Sequence, residues 1–199
     1  MSIRFATEED LSQMLAIYGP YVEHTTVSFE YTVPTMEAFL NRFRTITDQF
    51  PWLVWEEAGE VLGYAYASAP FERAAYRWCA EPSIYLAPGA KRKGIGRKLY
   101  EALEALLQRQ GYRLLYAIIT DENEESLLFH SRLGYRDLAH FPGCGWKFGR
   151  CVGVRWMEKT LPFVESSENF PLKWKEVVEN DKNESSLLDN IPLCDLDKM

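Results

Sequence analysis

The tightest constraint on the fold lies in one short stretch, Ala90 to Leu107, which reads AKRKGIGRKLYEALEALL. Five cations, Lys91, Arg92, Lys93, Arg97 and Lys98, surround Gly94 and Gly96. Apolar residues then recur at Leu99, Leu103, Leu106 and Leu107 with a helical period, up to a stop at Gly111. The preceding residues, Cys79 to Leu86, read as extended, interrupted by Pro82, which marks a bulge or an edge. The loop therefore joins a strand to a helix N-terminus, where unpaired amide N–H groups and the positive end of the helix dipole favour an anion. A charge run is usually a solvated face. In a chain of net charge -7, a basic cluster confined to one glycine loop reads instead as the seat of a phosphate-bearing ligand.

Spacing discriminates among phosphate binders. Gly89 and Gly94 have the gap of a nucleotide P-loop, but Ile95 stands where its lysine is required. A dinucleotide fingerprint beginning at Gly94 needs glycine in place of Leu99. Nucleic acid is disfavoured as a partner, because an acidic chain without a wider basic face is repelled along a polyanion. A compact cofactor bearing phosphates fits the local cluster better.

With 199 residues, 47% of them hydrophobic, the chain can bury one sizeable core, and a single α/β or α+β domain around a mixed sheet is expected. No apolar run approaches the roughly 18 to 20 residues of a membrane span, and Phe5 leads directly into Glu8-Glu9-Asp10 where a signal peptide would be apolar. A cytoplasmic protein with no membrane association is expected. Cys79, Cys144, Cys151 and Cys194 are scattered without a CxxC or a nearby histidine pair, so reduced thiols and no metal site are expected. From Glu165 to Met199 there are nine acidic and four basic residues, and this tail also carries Phe170, Leu172, Trp174, Val177, Val178 and Leu187-Leu188. The chain is thus divided into a domain at 1–163 and an acidic tail at 164–199. The tail is expected either to be disordered or to dock, and has no catalytic part.

Local signals place the remaining elements. Ile3 to Phe5 reads as a strand. Thr7-Glu8-Glu9-Asp10 starts a helix that Gly19-Pro20 is expected to end, and another begins near Thr35. Trp52 to Ala67 reads as a hairpin about Gly59, Leu114 to Ile119 as a buried strand, Glu124 to Leu133 as a helix and Tyr135 to Met157 as a closing β region.

Lys91-Arg92-Lys93-Gly94-Ile95-Gly96 resembles the [Q/R]xxGx[G/A] pyrophosphate loop of the GNAT superfamily of acyl-CoA-dependent N-acyltransferases, with Lys91 in place of Gln or Arg. Asn123, Ser126, His130 and Gly134-Tyr135 are similar to its later N-x-x-[A/S]-x-x-x-Y-x-x-x-G-[F/Y] motif, with His130 where tyrosine is commoner. Ile17-Tyr18, Thr26 to Glu30, Pro51 to Val54, Gly63 to Ala65, Pro70-Phe71, Ala75 to Arg77 and Glu81 to Tyr85 extend the likeness, over roughly residues 3 to 162, to the phosphinothricin N-acetyltransferase group. The closing Lys147 to Val154 departs from that group's K-x-G-x-W-x-D-V ending at Cys151 and Gly153.

The resemblance implies a GNAT fold whose fourth and fifth strands splay apart, acetyl-CoA as co-substrate, and a homodimer. It implies that Ile84, Tyr85 and Leu86 pair with the pantetheine arm, and that Arg92, Lys93, Gly94, Ile95, Gly96 and Arg97 hold the diphosphate. An amine must lose a proton before it attacks a thioester, so a base is needed. Glu81 matches the group's catalytic glutamate; an ordinary strand-end glutamate is the alternative. Asn123, Ser126 and His130 share one helix face. His130 is a candidate donor to the departing sulfur and Asn123 a contact to the arm, against the alternatives of a core histidine and a simple helix cap. Phe29, Tyr31, Arg73, Tyr76 and Arg77 fall in segments that line the acceptor pocket in this group, or are core aromatics and surface arginines. Acetylation of a small amino-acid-like amine is the leading expectation. Its rivals are a protein N-terminal or lysine acetyltransferase and a non-catalytic acyl-CoA sensor.

Overall fold

The computed structural model describes residues 2–162 and 170–180. Its strands are β1 (Ser2–Phe5), β2 (Trp52–Glu57), β3 (Glu60–Ser68), β4 (Cys79–Leu86), β5 (Leu114–Thr120), β6 (Arg136–Lys147) and β7 (Arg150–Thr160). They form one sheet in the order β1-β2-β3-β4-β5-β7-β6. Every pairing is antiparallel except that of β4 with β5. Both hairpins turn on residues with positive φ, Ala58-Gly59 between β2 and β3 and Phe148-Gly149 between β6 and β7, as tight two-residue turns require.

Helices cover the two faces. On one side α1 (Leu11–His24) and α2 (Met36–Thr47) pack Met14, Val22, Phe39 and Phe43 onto Trp52, Val54 and Tyr64. On the other, α3 (Ile95–Gln110) drives Leu99, Leu103, Leu106 and Leu107 onto Leu53, Ala65, Ala80 and Leu115, and α4 (Glu124–Arg132) lies beside it. Strand alternation assigns odd and even residues to opposite cores, except that the bulge between β2 and β3 switches the parity of β3 and puts Val61 with Tyr64.

The first helix corrects one expectation. Gly19-Pro20 does not end α1, which continues to His24. Pro20 forfeits one backbone bond, but Tyr18 and Val22 on either side are buried and hold the last turn against the sheet. The start conforms to expectation: Thr7 donates its amide to the Asp10 carboxylate at 2.8 Å, and Thr35 caps α2 by accepting from the Ala38 amide.

Of the tail, the described part docks. Trp174 stacks at 4.5 Å on Phe5 and donates its indole N–H to the Thr47 carbonyl, and α5 (Trp174–Asn180) buries Val177. Leu187-Leu188 and Cys194 lie outside the described residues.

Candidate active site

The site is created by a failure of pairing. β4 and β5 are in register only at Cys79↔Leu114 and Ala80↔Leu115; past those pairs the strands separate, as the splay expectation requires. From residue 81 onward β4 keeps β3 on one edge, and among the described residues no strand covers the other. The Ala87 amide donates to the Leu62 carbonyl, so alternation turns Tyr85 towards β3 and Ile84 and Leu86 towards the open edge. Tyr85 is therefore spoken for, and the Tyr21 hydroxyl takes the Leu86 carbonyl at 2.7 Å. The Ile84 amide and carbonyl and the Leu86 amide remain for an added extended ligand. Pro82 has the same parity, so its missing N–H faces the opening and leaves no ladder bond unmade.

The basic loop meets α3 at the mouth of this gap. Gly94 caps the helix at φ +77°, and Arg92 also lies in the left-handed region at φ +63°. The first helical bond runs from the Lys98 amide to the Gly94 carbonyl, which leaves the amides of 95 to 97 without an intrahelical acceptor. The two glycines serve different ends. A Cβ on Gly94 would meet nothing within 4 Å, so its conformation is what demands glycine. At Gly96 a Cβ would press on Leu86 Cδ1 at 3.2 Å and Ile84 Cδ1 at 3.4 Å, so that glycine permits close packing of α3 on β4. Lys91 and Arg92 both reach Glu125 of α4 at 3.3 Å, which ties the loop to the second motif.

Glu81 sits one residue beyond the last β4–β5 pair. Its parity puts it with Cys79, Ser83 and Tyr85 on the face covered by α1 and α2, near Tyr66. Burial is the cause that pushes its carboxyl up to about 6, with no compensating cation among the described residues. A partly buried carboxylate with that affinity is charged at pH 7 yet basic enough to take a proton.

His130 lies on the opposite face and is almost fully enclosed, at 4% exposure. Its Nδ1 is 2.8 Å from the Ser126 carbonyl, which only accepts, so Nδ1 carries the proton. Nε2 then accepts from the Tyr100 hydroxyl at 2.7 Å, and burial pushes the imidazole down to about 4. In this state Nε2 has no proton to give a sulfur. Asn123 is occupied as the cap of α4, its carbonyl accepting from the Ser126 amide at 3.2 Å, and the Ser126 hydroxyl lies against His130.

The loop after α1 meets the β6–β7 hairpin. Tyr31 donates to the Trp146 carbonyl at 2.7 Å, and a side chain on Gly145 would overlap the Phe29 ring. Phe71, Tyr76, Tyr116, Trp156 and Phe141 form a continuous run of ring contacts at 4.7 to 6.2 Å. Tyr116 alternates with Leu115 and Ala117, which face α3, and this puts that run on the Glu81 face. Arg73 is exposed on the loop above it, whereas Arg77 stacks its guanidinium 4.5 Å from the Phe170 ring.

Asp121 gave no sequence signal, and Lys147 only its place at the start of the closing motif. Lys147 is 1% exposed, and its ammonium donates to the carbonyls of Val22, Thr25 and Ser28 at 2.6 to 2.8 Å, clamping the hairpin to the end of α1 and the loop that follows. Asp121 explains Gly153: a Cβ there would overlap the Asp121 carboxylate, which bonds His140 at 2.8 Å. The space a side chain at position 153 would fill is taken by the Asp121 carboxylate, just past the end of β5.

The family model for the acetyltransferase (GNAT) domain matches residues 3–156. The chain belongs to the GNAT acetyltransferase family. Among its GNAT relatives, the phosphinothricin N-acetyltransferase of Alcaligenes faecalis is 35% identical over 162 residues, covering 80% of this chain and 82% of that protein. The L-methionine sulfoximine/L-methionine sulfone acetyltransferase of Pseudomonas aeruginosa is 37% identical over 170 residues, covering 83% and 98%. The crystal structure of a GNAT phosphinothricin acetyltransferase from Sinorhizobium meliloti in complex with AcCoA superposes with a TM-score of 0.80 at 34% identity, covering 86% of this chain and 97% of that one. The protein is an N-acetyltransferase.

Proposed function

We propose that this GNAT protein transfers acetyl from acetyl-CoA directly to the amino group of a small amino-acid-like acceptor, with Glu81 as general base. One observation carries the reading: a carboxylate raised to about 6 stands where β4 parts from β5, beside an unpaired strand edge that leads to a cationic helix N-terminus. That arrangement suits acetyl-CoA. The open polar groups of Ile84 and Leu86 would hold the pantetheine amides, and the amides and cations from Arg92 to Arg97 the diphosphate. The thioester supplies an activated acetyl group.

The chain's own residues supply the rest. The acceptor ammonium loses a proton to Glu81, directly or through one water, and the freed lone pair attacks the acetyl carbon; the carbon–sulfur bond breaks, the thiolate keeps its electron pair, and the second proton shed by nitrogen passes through water to that thiolate. His130 acts as a positioning group: with Tyr100, whose hydroxyl is also 3.3 Å from the Pro82 carbonyl, it secures the strand at the splay. Asn123 and Ser126 shape the same wall as cap and packing partner. Phe29 and Tyr31 form one side of the acceptor cleft, Tyr76 lies on the aromatic run, and Arg73 is the cation presented to an acceptor carboxylate or phosphinate.

Catalysis resides in residues 1–163, and the tail contributes no reacting group. A homodimer is part of the reading: β6 is an edge strand that exposes Leu138, Phe141 and Trp146, the kind of surface a second copy covers. The test is an acceptor panel of phosphinothricin, methionine sulfoximine, plain amino acids and short peptides, with thiol release as readout. Turnover of free amino-acid analogues is expected. Turnover of peptides alone, or thiol release with no acceptor in the panel, overturns the reading.

A further inference from the structure

The matched family domain ends at residue 156, yet residues 170–180 are built into the fold by specific bonds. The Leu172 amide donates to the Gln110 carbonyl at 2.8 Å. The Gln110 side chain, 2% exposed, returns a bond to the Leu172 carbonyl at 2.7 Å, and Gln49 reaches the same carbonyl at 3.1 Å. Lys173 pairs with Asp48 at 2.8 Å, and Trp174 stacks on Phe5. The segment is thereby held across the ends of α2 and α3. Its first described residue, Phe170, lies 5.5 Å from the Trp78 ring with the Arg77 guanidinium 4.5 Å above it.

Those two contacts fall where the acceptor loop enters β4. The Trp78 carbonyl accepts from the amides of Arg113 and Leu114, so the chain is fixed at 78. At the other end Phe71 is anchored on Tyr116 and Trp156. Between the anchors, Arg73 and Tyr76 are exposed, and Arg77 is the last residue before the fixed point. An arginine here has two uses: it can turn towards the cleft and clamp an anionic acceptor, or lie along an aromatic ring outside it. Phe170, 54% exposed and supplied from beyond the family domain, selects the second.

We infer that Phe170 is a positioning residue for the acceptor site: it holds Arg77 on its ring, sets the pose of residues 71–77, and leaves Arg73 to meet the acceptor. This rests on the reading above only in taking that loop as the acceptor wall. The bracing itself is a statement about the loop and can be measured without an acceptor.

Two measurements on the full chain test it. In Phe170→Ala, amide hydrogen exchange of residues 71–77 is expected to quicken about 3-fold, as loss of an exposed cation–π contact implies, with exchange in β2 and β3 unchanged. The KM for the acceptor is expected to change by a similar factor while the KM for acetyl-CoA stays the same. Phe170→Tyr, which keeps the ring, restores both. Arg77→Ala gives the Phe170→Ala phenotype, and the double variant adds nothing to it. Unchanged loop exchange in Phe170→Ala overturns the inference whether or not any acceptor is turned over. So does a change of equal size in both KM values. Should no acceptor be acetylated while the loop loosens as expected, the proposed function fails and the bracing by Phe170 stands.

Discussion

Replacing Glu81 with glutamine is expected to damage catalysis and to stabilise the fold, two effects that a merely structural glutamate would not couple. The carboxyl is raised from its ordinary 4.5 to about 6 by burial. Between those values the native protein holds a proton that the unfolded chain has released, so stability falls as pH rises through the window, and the penalty is complete above 6. The span corresponds to about 2 kcal/mol, reduced to about 1 to 2 kcal/mol because the side chain keeps some contact with water. Glutamine has the shape of the protonated acid and carries no charge at any pH. Glu81→Gln should therefore melt about 4 °C above the parent at pH 8, with a gain that shrinks towards pH 5. Its kcat should fall by about two orders of magnitude or more while acetyl-CoA binding is retained. In the parent, kcat/KM should rise with pH through about 6, and that limb should vanish in the variant. Thermal melts at the two pH values, calorimetry with acetyl-CoA and thiol-release kinetics cover all of these points. A variant that melts lower at pH 8, or keeps kcat within about 3-fold, refutes the assignment of Glu81 as a desolvated base.

The state of His130 makes a separate prediction. Its imidazole is pushed down to about 4, whereas in the unfolded chain it binds a proton below about 6.5. Its contribution to stability is thus complete above pH 6.5 and is lost as pH falls towards 4, about 3 kcal/mol across the window. Its ring resonances should stay those of the neutral form down to pH 5; titration near 6.5 would sink the tautomer argument and reopen a proton-donor role. At Lys147, substitution by methionine strands three carbonyls that now share one ammonium, and a loss of about 3 kcal/mol in urea denaturation is expected. A loss below about 1 kcal/mol would show that the clamp contributes little.

The features legible in the sequence are those that depend on a residue and its near neighbours. Gly94 and Gly111, both left-handed, bound α3 at its start and its end, and the leucines between them follow the helical period. The hairpin about Gly59, the strand carrying Glu81 and the edge position of Pro82 are of the same kind. Local sterics and periodicity set these choices, and both are visible within a few residues.

Other features were decided only when distant segments met. His130 shares the helix face foreseen for it, yet its fate follows from Tyr100, a partner 30 residues away that occupies its free nitrogen. Lys147 finds the Val22 carbonyl across 125 residues of chain, and Arg77 finds Phe170 rather than the cleft. Gly153, which departs from the group's aspartate, makes room for the Asp121 carboxylate that arrives from a different strand. Amino-acid order declares what each side chain can donate, accept or bury. Which partner it obtains depends on the packing of whole elements, and for a buried polar group that partner decides whether it reacts or merely holds its neighbours.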